Sequence, residues 1–168
     1  MWFLIRLKEP KMNGAHLHLM LIHFPIAGMI LALPLLLGAW KLKDETLKRV
    51  GLSFVVLVGL LGYAAYLSGG GAVRVVRNLP DITRDTIHEH AQAADWAIWI
   101  IAADALLAGF GLFCAWKDKK MPHWVFPAVA LLTLLGSTVL VRVAYLVGQI
   151  HHPETRAGFT APAGGQGK

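Results

Sequence analysis

Four stretches of this chain are almost continuously apolar, and its polar residues gather in the intervals between them. The apolar stretches fall near residues 18–40, 49–70, 90–116 and 124–150. Each reaches the roughly 20 residues that a helix needs to cross a bilayer. Backbone N–H and C=O groups find no water inside hydrocarbon, so each stretch must satisfy its own hydrogen bonds, which a helix does and a lone strand cannot. The pattern predicts an all-α fold, an integral membrane four-helix bundle. Pro25, Pro34 and Pro127 fall inside the stretches as local distortions that neighbouring helices absorb.

Charge turns the pattern into a topology. KLKDETLKR joins the first two stretches and KDKKMPH the last two, so Lys41, Lys43, Lys48, Arg49, Lys117, Lys119 and Lys120 crowd into short loops. By the positive-inside rule those loops face the cytoplasm. Both termini and the longer connection GGGAVRVVRNLPDITRDTIHEH then face outward, to the periplasm if the membrane is a bacterial inner membrane. Trp40, Trp116 and Trp124 mark the inner interface, and Trp96 and Trp99 lie nearer the outer one. A formal net charge of +6 could serve nucleic acid, but no basic stripe is interleaved with aromatics. No nucleic-acid partner is expected; the partner is the lipid bilayer.

The domain plan is simple: an N-terminal extension over residues 1–15, a four-helix domain over 16–152, and a flexible tail over 153–168 ending in TAPAGGQGK. MWFLIRLKEPK is too short for the apolar core of a signal peptide, and Met12 offers an alternative start. Cys114 is the only cysteine. That excludes an internal disulfide, a cysteine-ligated cluster and the attachment motif of c-type haem, and leaves Cys114 as a small buried hydrophobe. SGGGAV lacks the Lys-Ser/Thr ending of a phosphate loop and reads as the glycine-rich end of the second helix. HEHAQ lacks the second histidine of a zinc-protease helix.

The histidines are the remaining chemistry. His16, His18 and His23 lie at the outer end of the first helix, His88 and His90 open the third, and His151 and His152 close the fourth. An antiparallel bundle therefore brings seven imidazoles to one membrane face, while His123 lies at the other. His16 and His123 fit ordinary headgroup-zone residues; His23 lies deeper, and ionisable groups within a span are functional candidates. His90, Ala94, Ala97, Ile101 and Ala108 form one stripe of the third helix, small enough for a flat cofactor or for close helix packing. His88, Gln92, Asp95 and Trp99 form its neighbour. Asp95 can orient an imidazole or pair with Arg142, and Asp104 is a deeper carboxylate on the side of His90.

HLHLMLIHFPIAG resembles the opening of a four-helix membrane family catalogued as domain of unknown function 2231, whose pattern runs L-H-P-L-L-V-H-F-P-I. His18, His23, Phe24, Pro25 and Ile26 fall on it, and Leu19 stands where the family has proline. IHEHAQAADWA is similar to the family's H-E-x-A stretch, which maps to His88, and GQIHHPE is similar to an ending that maps to His152. The resemblance spans most of residues 16–154 and implies the fold and a membrane location. A haem-binding or redox role has been suspected for such proteins.

The expected function is a b-type cytochrome-like electron-transfer subunit, not a stand-alone enzyme, with one or two haem b groups near the periplasmic face. Ligands are drawn from His18, His23, His88 and His152, with His90 and His151 as substitutes and His23 with His88 as the first pair. Arg142 or Arg74 would meet the propionates. Partners would be other subunits of a membrane redox complex or a periplasmic cytochrome, together with quinone. The alternatives are a cofactor-free structural or accessory subunit, and a zinc- or copper-binding membrane protein using the same histidines.

Overall fold

The computed structural model describes residues 13–77, 82, 84–117 and 120–151. They form four helices, α1 (Gly14–Leu42), α2 (Glu45–Val76), α3 (Arg84–Trp116) and α4 (Val125–His151), with no strand among them. All four are long and apolar enough to cross a membrane. The shortest has 27 residues, about 40 Å of rise, so its ends extend past a hydrocarbon core of about 30 Å. The N-terminal segment 1–12 and the tail lie outside the described residues, as does the side chain of His151.

The helix starts are chemically marked. Asn13 caps α1 by accepting from the His16 backbone N–H at 3.0 Å, and Asp44 caps α2 by accepting from Leu47 at 2.9 Å. α2 therefore starts four residues before its apolar stretch, on a turn held by the Glu45–Lys48 ion pair. Between these helices Lys43 takes the left-handed conformation and donates its N–H to the Trp40 carbonyl. A cap of that kind turns the chain in two residues. Pro127 sits in the first turn of α4, where a missing N–H costs nothing.

Neighbouring helices run antiparallel, as the contacts Gly14–Gly71, Gly59–Ala105 and Gly136–Ile101 show. α1 closes the bundle against α4, and α2 barely touches α4. One expectation is corrected here. SGGGAV does not end the second helix, which continues through Gly69–Gly71 to Val76. A Cβ on Gly14 would stand 2.7 Å from the Gly71 carbonyl carbon, so the glycines let two backbones touch. Lower down Gly28 makes room for a side chain, since a Cβ there would come within 2.6 Å of the Val58 Cγ2. α3 also begins earlier than its apolar stretch, at Arg84, with Asp85 favourably placed in the first turn.

Two apolar clusters fill the interior. One, toward the loop carrying Lys43, packs Leu36, Leu52, Val55, Ala108, Val125 and Val129. The other, toward the end carrying His18 and His90, packs Met29, Val58, Ala97, Ile101, Leu140 and Val143. Cys114 is buried, as expected. Large apolar residues also cover the outside: Leu106, Trp99 and Trp116 are each about three-quarters exposed. Lipid covers such a surface in a spanning bundle, and water would not.

Candidate functional site

At the histidine end the bundle is not filled. A cavity of about 390 Å³ lies among all four helices, walled by small residues such as Ala15, Gly69, Gly70, Ala91 and Ala94. A second, of about 50 Å³, continues deeper to Ile101 and Leu140. The two cavities share His18, Tyr66, His90 and Ala94. His18 comes from α1 and His90 from α3, and their ring centroids are 6.5 Å apart with the planes at 81°.

Two oxygens of α2 hold the His18 ring. The Ser68 hydroxyl donates to the Ala65 carbonyl at 2.6 Å. Both of those oxygens then face His18 Nδ1 as acceptors, at 2.8 Å from Ser68 Oγ and 3.1 Å from the Ala65 oxygen. With the proton on Nδ1, that nitrogen donates to these two oxygens, which hold the ring in place. A backbone carbonyl holding one ring nitrogen so that the other can act as a ligand is the usual support of a ligating histidine.

The other expected residues take different places. His23 is exposed, and its Nδ1 donates to the Leu19 carbonyl of its own helix at 2.6 Å. His88 is exposed and accepts from the Gln92 amide at 3.0 Å. Neither lines the cavities, so the structure gathers His18 with His90 and leaves His23 and His88 on outward faces. His16 is exposed beside Asn13, and His123 is exposed at the other end. His152 and the side chain of His151 lie outside the described residues. Arg74 and Arg142 are exposed and border neither cavity.

Asp95 does pair, but with Tyr66 and not with Arg142: the Tyr66 hydroxyl donates to its Oδ1 at 2.8 Å. That hydrogen bond ties α2 to α3 at the cavity wall. Asp104 is completely buried in mid-bundle, accepting from the Thr133 hydroxyl at 2.7 Å, with Ser137 on the next turn of α4. It lines neither cavity at the histidine end. Tyr66 and Ser68 escaped the sequence reading. The available signal was their position, two polar side chains at the end of an apolar stretch that the topology places level with His18.

Among the described residues no three His, Cys, Asp or Glu side chains gather closely enough to hold a metal ion. In comparisons with known proteins the chain matches no family model, no curated protein and no solved structure.

Proposed function

We propose that the protein is a b-type cytochrome-like electron-transfer subunit in which His18 and His90 would hold one haem. The observation that carries this reading is the pair of facing imidazoles between two cavities in a bundle apolar enough to span a membrane. The His18 and His90 ring centroids are 6.5 Å apart, near enough for one bound group to draw on both rings. Haem brings its own four equatorial nitrogens and asks the protein for two ligands at most. Zinc asks for three or four, and the described residues offer no such group. One facing pair favours one haem over two.

When bound, haem supplies one-electron exchange. The chain's own residues do the rest. Ala65 and Ser68 hold the His18 ring. Ala15, Gly69, Gly70, Ala91 and Ala94 leave room beside the rings, and Tyr66 with Asp95 fixes the α2–α3 wall. The lysine-bearing loops favour a cytoplasmic position, which would place His18 and His90 near the periplasmic face of a bacterial inner membrane with both termini outward. Electrons would pass between the quinone pool and a periplasmic redox partner or a larger membrane complex. Reporter fusions at Lys120 and at the C-terminus test that orientation.

One observation favours a cofactor-free accessory subunit. Edge-to-face rings with centroids about 4.5–7 Å apart are also an ordinary aromatic contact, and the His18–His90 pair falls in that range. An absorption spectrum of the full chain, purified in detergent from cells with ample haem, divides the readings. A Soret band, with α and β bands on dithionite reduction, supports the haem reading. A colourless protein refutes it in favour of the accessory subunit, and elemental analysis then tests for zinc or copper.

A further inference from the structure

The opposite end of the bundle carries a third cavity, of about 270 Å³, independent of the histidines. Lys48 and Arg49 from α2 and Lys120 from the segment before α4 line it, with one carboxylate, Glu45. Glu45 Oε1 is 2.7 Å from Lys48 Nζ, so it compensates only that cation. Arg49 and Lys120 have no ion-pair partner among the described residues. The start of α2 beside it is capped by the Asp44 carboxylate, which accepts from the Leu47 N–H. Its deeper wall is apolar, with Leu52 and Met121.

Cationic side chains over an apolar floor suit an anion that is part of an amphiphile. The level of the cavity identifies the amphiphile's source. Trp40, Trp116 and Trp124 are all strongly exposed at this same end of the bundle, and tryptophans on the outside of a spanning protein mark the headgroup layer. Basic pockets between spanning helices at that level bind phosphate-bearing headgroups.

We propose that the cavity formed by Lys48, Arg49 and Lys120 seats the phosphate headgroup of an anionic phospholipid, with its glycerol and upper chains against Leu52 and Met121. Lys48 is the anchored member of the trio, with its side chain only 19% exposed and its Nζ 5.8 Å above the Phe126 ring. Arg49 and Lys120, both exposed, supply the other two charges.

The test is lipid binding by the full chain in detergent, followed by native mass spectrometry with phosphatidylglycerol, phosphatidylcholine and inorganic phosphate as separate probes. Phosphatidylglycerol should be retained in preference to phosphatidylcholine, and inorganic phosphate should not displace it. The triple variant K48Q/R49Q/K120Q should weaken phosphatidylglycerol binding about 100-fold, from roughly one order-of-five factor per cation. The control K41Q/K43Q removes two charges from the same end but outside the cavity, and should change binding by less than about threefold if the site, not diffuse charge, is responsible. Should the triple variant misfold, Arg49→Gln and Lys120→Gln alone should each cost about fivefold. Equal losses in site and control variants, equal binding of phosphatidylcholine, or displacement by phosphate alone would overturn the proposal.

Discussion

Ala94 and Ala108 lie on one face of α3, about 21 Å apart along its axis, and they meet opposite surroundings. Ala108 is fully buried in the cluster with Leu36, Leu52, Val55 and Val129. Ala94 is half-buried and borders both cavities at the histidine end. The same residue type closes space in one place and leaves it open in the other. Lipid tails are as apolar as leucine, so helices in a bilayer are held by packing and by interhelical hydrogen bonds. The cluster around Ala108 uses the first of these, and the cavity at that end opens beyond it, among Lys48, Arg49 and Lys120. The histidine end gives up packing, and hydrogen bonds from His18 to Ala65 and Ser68 and from Tyr66 to Asp95 hold its geometry instead.

The sharpest way to break this contrast is to make one substitution at both positions. Ala108→Leu should destabilise the bundle by about 2 kcal/mol through overpacking, read as a lower midpoint of thermal unfolding in detergent. Next in size is Thr133→Val, which removes the hydroxyl that Asp104 accepts from between the two regions. A cost of about 1 kcal/mol is expected, and the double variant Asp104→Leu/Thr133→Val should recover most of it. Ala94→Leu should change stability by less than about 1 kcal/mol, because the added methyl groups enter existing space, while it abolishes haem binding. If Ala94→Leu were as disruptive as Ala108→Leu, the histidine end would be packed after all. Tyr66→Phe should have the smallest effect: a loss of about 0.5 kcal/mol with the α2–α3 hydrogen bond, together with a shift of the haem absorption bands or potential.

Much of the fold could be read from the chain. Four apolar stretches became four helices, and the even number of antiparallel spans was enough to gather histidines at one end. The choice among them needed rotational phase. At about 100° per residue, His18 and His23 point about 140° apart, and His88 and His90 about 160° apart, so neither pair can share an inward face. The stripe of His90, Ala94, Ala97, Ile101 and Ala108 already marked the inward face of α3, and all five residues are buried or half-buried. His90 was thereby readable as the inward histidine of that helix. Depth along the span favoured His23, but depth does not tell a lipid-facing side chain from an inward one. Local chemistry misled at Gly69–Gly71, since glycines that permit close helix contact look in sequence like glycines that end a helix. The Tyr66–Asp95 pair depends on how α2 and α3 are rotated against each other, which no single segment specifies.

The most direct measurement is haem per chain, by pyridine haemochrome assay, in two double variants purified identically from haem-supplied cells. H18A/H90A removes the facing pair, and H23A/H88A removes the outward pair. The expected result is haem near zero in the first and wild-type haem in the second. Wild-type haem in H18A/H90A, or its loss only in H23A/H88A, would contradict the assignment of His18 and His90 as the ligands.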